Sequence, residues 1–220
     1  MLRIAFDSAT EFLSVALAEE HELLACAQSR RARGAENFLA DGIAFCLKAA
    51  GRERGDIGAV LVTTGPGSFT GVRVGMAVAL GVAEGLGIPV FGLDTLRALA
   101  LACPQGVGRV APVLDARRGE IYAALYRKSP RGLSEMIPPG AYAPKVFATL
   151  VSDLQPVSAA CGTGLAQLTP SEIPGAEFHA MPFLAPTLLG KSAAPLLTPL
   201  DPAAPALNYL RGADAVPAAR

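Results

Sequence analysis

The sequence predicts an α/β protein built from two similar lobes, and three observations support this prediction. Each half of the chain opens with three consecutive strands, and the first of these ends at an aspartate, Asp7 or Asp115. Turn glycines follow a later buried strand in each half, at residues 65–67 and 162–164. The first glycine turn leads into a long helix rich in small residues. This shared order of strands, helices and turns predicts a duplicated fold.

The first half predicts the element order βββαβαβα. Alternating apolar residues indicate strands near residues 3–6, 12–18 and 23–28. Apolar residues at helical spacing predict a helix over residues 36–50, which Gly51 ends. A short apolar run at 59–62 predicts a buried strand, and the remaining elements are a helix at 69–86, a strand at 89–93 and a helix at 95–102.

The second half predicts a degenerate copy of this plan. Strands are expected near residues 109–114, 120–126, 133–137 and 157–161, with a helix near 144–153. Frequent prolines after residue 165 prevent long helices, so only short ones are expected, around 187–198 and 206–211. The predicted domains are a first lobe at 1–103, a second lobe at 104–205 and a terminal segment at 206–220 that returns to the first lobe.

The helix at 69–86 carries small residues at every fourth position. Glycine in a helix interior costs about 0.5–1 kcal/mol relative to alanine, so their repetition indicates close packing on that face. One interpretation is that this face packs on the sheet of its own lobe, and the other is that another molecule docks on the helix. Both interpretations hold if the helix uses opposite faces for the two contacts. The docking hypothesis assigns an interface to both first-lobe helices: Leu39, Ile43, Gly71, Val72, Gly75, Met76, Ala79 and Ala83.

The glycine turn at 65–67 has two interpretations. A glycine-rich turn before a helix N-terminus can bind an anion through unpaired N–H groups. However, Pro66 removes one donor, and no Gly-Lys-Ser/Thr sequence follows as it would in a P-loop. The favoured interpretation is a sharp turn ahead of a closely packed helix.

Composition and charge narrow the class of protein. Hydrophobic residues make up 51% of the chain, and the net charge is zero, which argues against a broad basic face for nucleic acid. Four well-separated cysteines without a CxxC pair indicate reduced, buried thiols. Asp7 lies too early for a secretory signal, and the uncharged run at 74–83 is too short for a membrane span. We expect a cytoplasmic protein without a membrane partner.

Asp7 and Asp115 are the candidate ligands for a nucleotide site. Two aspartates that face each other across a cleft can hold Mg²⁺ and a nucleotide, and Ser8 and Thr10 would add hydroxyl groups. Alternatively, each aspartate only orders its own turn. The two histidines, His21 and His179, lie in separate regions and form no metal-binding pair, so no metal site is predicted.

The glycine turn and the start of its helix carry a resemblance to a known family. Residues 65–75, Gly-Pro-Gly-Ser-Phe-Thr-Gly-Val-Arg-Val-Gly, resemble the signature of the TsaB (YeaZ-type) family, the non-catalytic partner in bacterial tRNA threonylcarbamoyladenosine biosynthesis. Further similar motifs lie at residues 6–11, 89–96, 114–122 and 208–211. The resemblance implies an actin-like ATPase or RNase H-like fold.

The resemblance also implies what the chain binds. According to the resemblance, the chain has no catalytic residues and binds no cofactor by itself. ATP or ADP would bind only within an assembled complex. Asp7, Ser8, Thr10 and Asp115 would then form a vestigial nucleotide site, and Ala9 departs from the family's usual Asp-Thr-Ser-Thr.

The implied partner is a catalytic threonylcarbamoyltransferase paralogue of the TsaD type, which pairs through the two first-lobe helices. A small ATPase of the TsaE type is a further candidate partner. In the absence of partners the chain would form a homodimer. Its contact with tRNA would be indirect. The paralogue is known for a histidine pair on its matching helix, where this chain has Gly-Ala-Glu-Asn-Phe at 34–38. Two alternatives remain open: an actin-like small-molecule kinase that uses Asp7, Asp115 and the turn at 162–164, and a metallopeptidase.

Overall fold

The computed structural model describes residues 1–30, 34–104, 106 and 108–210. The first sheet starts with an antiparallel meander of β1 (Leu2–Asp7), β2 (Phe12–Glu19) and β3 (Glu22–Arg30). The strand β4 (Ile57–Thr63) pairs parallel with β1, and β5 (Val90–Leu93) pairs parallel with β4. The predicted strands of the first half are therefore confirmed.

Three helices connect these strands: α1 (Ala35–Ala50), α2 (Phe69–Leu86) and α3 (Thr95–Ala102). Local sequence sets the ends of α2, because the Ser68 hydroxyl accepts a hydrogen bond from the Gly71 N–H and Gly87 takes the left-handed conformation after the last turn. Asp94 caps α3 in the same way through the Arg97 N–H. The sequence predicted the bounds of α2 and α3 correctly.

The second sheet repeats the order of the first. It contains β6 (Gly108–Asp115), β7 (Ile121–Ser129), β8 (Gly132–Tyr142), β9 (Ala159–Cys161) and β10 (Glu177–His179), with α4 (Pro144–Ser152) between β8 and β9. Its strand order, β10-β9-β6-β7-β8, matches β5-β4-β1-β2-β3 of the first sheet. Asp7 and Asp115 end the equivalent strands β1 and β6, so the predicted duplication is confirmed. A short 3-10 helix, Thr163–Gln167, stands where the first lobe has α2.

The chain returns to the first lobe earlier than the boundary at residue 205 predicts. The helix α5 (Ala185–Leu189) packs on β1 and β2, and β11 (Thr198–Pro199) pairs with β5 at the edge of the first sheet. The apolar residues Leu188 and Leu189 explain this, because the first sheet buries both. Residues 206–210 are not helical, and 211–220 lie outside the described residues.

The two faces of the first sheet differ in the size of their side chains. One face presents large residues such as Ile4, Phe6 and Leu17, which α1 and α2 cover. The opposite face presents Ala5 and Ala16, which share a core with α3, α5 and residues of the second sheet. Small side chains on this face allow the second lobe to approach closely, so one core joins both lobes.

The helix α2 passes a length and composition test for a membrane span, with a mean hydropathy of 1.3 over 18 residues. The earlier expectation considered only its shorter uncharged run. The same test is met by core helices of soluble proteins, and α2 packs against β4, β1 and α1 within the first lobe. The length and hydropathy of α2 alone therefore do not identify it as a membrane-spanning helix.

Candidate functional sites in the interlobe cleft and on the α1–α2 face

A cavity of about 950 Å³ lies between the two lobes. The first lobe supplies the turn after β1 and the start of α2, and the second lobe supplies the turn between β6 and β7. The lining of the cleft includes Thr10, Glu11, Phe69, Arg73, Asp115, Arg117, Arg118, Tyr122, Thr163 and Tyr209. Two of the predicted nucleotide-site residues, Thr10 and Asp115, therefore reach the cleft.

Asp7 is sealed beneath the cleft and does not line it. Its side chain is fully buried, and Oδ1 accepts hydrogen bonds from Thr63 Oγ1 at 2.7 Å and from the Ala9 N–H at 3.1 Å. Oδ2 has no hydrogen-bond partner among the described residues. Burial raises the pKa of Asp7 to about 6, against the smaller lowering effect of these hydrogen bonds. The assignment of Asp7 to an open nucleotide site is therefore wrong.

The turn after β1 closes over Asp7 because it is tied to α2. Ser8 is buried and donates a hydrogen bond to the Gly71 carbonyl at 2.8 Å, and the Ala9 carbonyl accepts from the Ser68 N–H at 2.7 Å. A Cβ at Gly67 would overlap the Ala9 carbonyl. The hydroxyl of Ser8 thus faces α2 rather than a ligand, which corrects its assignment to the vestigial nucleotide site.

Asp115 reaches the cleft, but its carboxylate is already engaged by its own lobe. Oδ1 accepts hydrogen bonds from the Arg117 N–H at 2.7 Å and from Gln167 Nε2 at 2.8 Å. Oδ2 lies 3.3 Å from the Arg117 guanidinium. Asp115 therefore orders its own turn, which is the second of the two interpretations that the sequence left open.

These contacts do not fit the Mg²⁺–nucleotide complex that the kinase alternative requires. A magnesium ion needs carboxylate oxygens that are accessible from the cleft. Asp7 offers none because it is enclosed, and the Asp115 oxygens face an arginine and an amide donor. The two aspartates therefore do not form a site for a metal-bound nucleotide.

A C-terminal strap, defined here as residues 207–210, forms one wall of the cleft. The Asn208 N–H donates to the Thr64 carbonyl at 2.8 Å, and its side-chain amide donates to the half-buried Asp94 carboxylate. Tyr209 lies beside Phe69, with ring centroids 5.7 Å apart. Sequence reasoning recognised a motif at 208–211 but placed it in no site, because the motif gives no indication of where it folds back.

The small-residue stripe on α2 faces inward. Gly75, Ala79 and Ala83 are buried, and a Cβ at Gly71 or Gly75 would overlap the Ser8 backbone or side chain. Val72 and Met76 are buried as well, and so is Leu39 on α1. The stripe is therefore the packing surface of α2 on its own lobe, and its assignment to a partner interface is corrected.

A second row of small residues lies on the outward side of α2. Ala77, Gly81 and Gly85 are exposed, and neither glycine has a neighbour within 4 Å of a Cβ placed there. On α1, Phe45 is 55% exposed, and Ile43, from the predicted interface, is half-buried. We call Ala44, Phe45, Ala77, Gly81 and Gly85 the outer helix face.

The cysteines and histidines provide no site of their own within the described part of the chain. All four cysteines are free thiols; Cys46, Cys103 and Cys161 are buried, as predicted, whereas Cys26 is only half-buried. Burial raises the pKa of the Cys46 thiol to about 11, so it is a poor nucleophile. No group of three or more potential metal ligands occurs among the described residues.

The two sheets of equal strand order and the cleft between them define a two-lobed protein of actin-like, RNase H-like fold. Residues 31–183 match the family model described as TsaD: tRNA N6-adenosine threonylcarbamoyltransferase, which is more than half of the chain. The chain belongs to this family and, within it, to the TsaB (YeaZ) proteins.

Individual relatives agree with this assignment. The chain is 36% identical over 132 residues to "tRNA threonylcarbamoyladenosine biosynthesis protein TsaB" of Escherichia coli, a match that covers 59% of this chain and 57% of that protein. The equally named Bacillus subtilis protein is 39% identical over 84 residues, which are 38% of this chain and 36% of that protein. The chain thus spans little more than half the length of the first of these relatives.

Solved structures match over a greater length. The structure described as YeaZ from Pseudomonas aeruginosa has a TM-score of 0.73 and 27% identity, and the match covers 88% of this chain and 90% of that one. Another Pseudomonas aeruginosa structure, described as similar to peptidase YEAZ, has a TM-score of 0.77 and 25% identity. That match covers 96% of this chain and 99% of the other chain. The predicted fold class is confirmed.

Proposed function

We propose that this chain is a cytoplasmic, non-catalytic subunit required for threonylcarbamoyl transfer to adenosine 37 of ANN-decoding tRNAs. It acts by pairing with a catalytic paralogue of the TsaD type and stabilising that paralogue's active conformation. Family membership and the name of the Escherichia coli relative, which refers to tRNA threonylcarbamoyladenosine biosynthesis, support the pathway.

The sealed carboxyl group of Asp7 is the observation that carries the non-catalytic role. In phosphoryl-transfer enzymes, acidic side chains that reach the site hold the metal ions. Here the Ser8–Gly71 and Ala9–Ser68 hydrogen bonds close the turn over Asp7. A chain with this arrangement contributes binding surface to an assembly in which another subunit carries the chemistry.

The outer helix face supports the pairing. Exposed alanine and glycine on α2 allow a second helix to approach closely, at an axial separation of about 8 Å. The helix α1, which packs against α2, adds the exposed apolar ring of Phe45. We infer that the TsaD-type paralogue docks here, and that two copies of the chain use the same face when the paralogue is absent.

Co-expression of the full chain with a TsaD-type paralogue, followed by size-exclusion chromatography, tests this proposal. We expect a heterodimer to elute in place of the homodimer formed by the chain alone. A chain that stays separate from the paralogue at micromolar concentrations would contradict it. Addition of a TsaE-type ATPase to the same mixture tests whether the pair recruits that third subunit.

A further inference from the structure

The C-terminal strap holds the side chain of Arg73 at the start of α2. Tyr209 lies against Phe69, with ring centroids 5.7 Å apart, and its Oη accepts a hydrogen bond of 2.9 Å from Arg73 Nε. The Arg73 guanidinium lies 3.7 Å from the Phe69 ring centroid, which is a cation–π contact. The exposed arginine therefore has a defined position, over the first residue of the helix.

The strap that presents Tyr209 is fixed by contacts of its own. Asn208 donates from its backbone to the Thr64 carbonyl and from its side chain to Asp94. Gly65 has a φ of 95°, and a Cβ at this position would overlap the Asn208 carbonyl. The glycine thus leaves room for the strap beside the turn that leads into α2. Tyr209 reaches Arg73 from a backbone that the first lobe holds in place.

Arg73 lies one helical turn before the small residues of the outer helix face. Arg73, Ala77, Gly81 and Gly85 follow one another at intervals of four residues, and all four are exposed. Residues four apart form a ridge on a helix surface, with about 5–6 Å between neighbouring Cβ atoms. A long arginine side chain at the head of this ridge can extend over Ala77, whose own side chain is a methyl group.

An unrestrained Arg73 would oppose the docking of a second helix for two reasons. A guanidinium over Ala77 occupies space that the second helix needs for close approach. Ordering a mobile arginine on binding also costs conformational entropy, which a side chain already held in place does not cost. The hydrogen bond to Tyr209 counters both effects, because it keeps the guanidinium over Phe69.

We propose that the strap is a latch that holds Arg73 clear of the outer helix face and so prepares this face for a partner helix. Arg73 and Tyr209 are positioning residues, since they act on the docking surface without belonging to it. The start of α2 does not need the latch for its own stability, because Ser68 already caps the helix. This inference rests on the proposed function, in which the outer helix face receives the partner.

Binding of a TsaD-type paralogue by variants of the full chain tests the latch. In Tyr209→Ala, Arg73 loses its hydrogen-bond acceptor, and we expect calorimetry to show binding weakened about fivefold. Adding Arg73→Ala should restore binding to within about twofold of wild type, because the obstructing side chain is then gone. The matched control adds Arg127→Ala instead, an exposed arginine of β7, and should leave binding weakened.

A thiol introduced on the outer helix face tests the latch without a partner. In Ala77→Cys, a nearby guanidinium favours the thiolate and attracts an anionic reagent such as dithiobis(nitrobenzoate). We expect Tyr209→Ala to speed the reaction of this thiol about threefold, and Arg73→Ala to cancel the increase. The half-buried Cys26 gives a background rate, which protein that retains Ala77 measures.

The two measurements separate the latch from the partner role. A wild-type chain that does not bind the paralogue would contradict the proposed function, and the thiol reaction would then decide whether the strap restrains Arg73. Equal thiol reaction rates with and without Tyr209 would overturn the latch. The latch is also wrong if Tyr209→Ala binds the paralogue as tightly as wild type, or if Arg73→Ala and Arg127→Ala restore its binding equally.

Discussion

The hydroxyl of Ser8 donates a hydrogen bond of 2.8 Å to the carbonyl oxygen of Gly71, and this contact fixes the turn after β1 against the first turn of α2. Gly71 and Gly75 make the approach sterically feasible, because a Cβ at either position would overlap Ser8. The same contact closes the turn above Asp7. Close helix packing and the enclosed aspartate are thus two consequences of one arrangement.

Replacing Gly71 with alanine tests this packing. The added methyl group meets the backbone carbonyl of Ser8, so we expect the free energy of unfolding to fall by about 1–3 kcal/mol. The matched control is Gly81→Ala on the outward side of α2, where a Cβ has open space. There the better helix propensity should raise stability by up to about 1 kcal/mol. Urea denaturation of both variants measures the difference, and equal stabilities would show that the inward face is not closely packed.

Asp7 should make folding dependent on pH. Its pKa in the folded protein is raised to about 6 from the ordinary value of 3.8, so the folded state holds the proton more tightly than the unfolded state. The resulting stabilisation is fully present below pH 3.8 and is lost as the pH rises through 6. Between pH 5 and pH 7.5 we expect Asp7 to account for a loss of about 1–2 kcal/mol in the free energy of unfolding.

The variant Asp7→Asn isolates this effect, because the amide oxygen can still accept the Thr63 hydrogen bond and cannot ionise in this range. Asp94, whose pKa burial also raises, contributes equally to both proteins and cancels in the comparison. Stability profiles measured by denaturation at each pH should diverge above pH 5. Parallel profiles for wild type and variant would show that Asp7 titrates normally.

Asn208 should hold the C-terminal strap in place. Removal of its side chain in Asn208→Ala takes one of the donors from the half-buried Asp94 carboxylate, which keeps the Arg97 N–H, so we expect a loss of about 1–3 kcal/mol in the free energy of unfolding. Hydrogen exchange at the Asn208 amide should accelerate, since the strap opens locally before the whole protein unfolds. Asn37→Ala, on the exposed surface of α1, is the control and should change neither quantity. Unchanged exchange in Asn208→Ala would mean that other contacts hold the strap.

The sequence predicted the duplicated order of strands because each repeat begins with its own alternating strands and aspartate turn. It predicted the ends of α2 for an equally local reason, since Ser68 and Gly87 act within one helical turn of each end. The pairing of β11 with β5 was not predictable, because a two-residue strand has no periodicity. The early return of α5 depends on long-range packing against β1 and β2.

The site residues were harder to predict than the fold. Small residues lie on both sides of α2, with Gly71 and Gly75 inward and Ala77 and Gly81 outward, so helical periodicity could not show which side meets the sheet. The accessibility of Asp7 depends on how Ser8 and Ala9 fold back, which its position at the end of a strand does not reveal. Arg73 and Tyr209 meet across 136 positions of sequence, and neither belongs to a pattern that predicts the other.

Reconstituted tRNA modification with a variant of the outer helix face tests the proposed partner role most directly. Gly81→Arg should leave the fold intact because the position faces open space, and it should place a charged side chain where the TsaD-type helix docks. We predict that this variant no longer binds the paralogue and gives no threonylcarbamoyladenosine, whereas Leu150→Arg, on the exposed side of α4, behaves like wild type. A folded Gly81→Arg protein that supports modification at the wild-type rate would contradict the account.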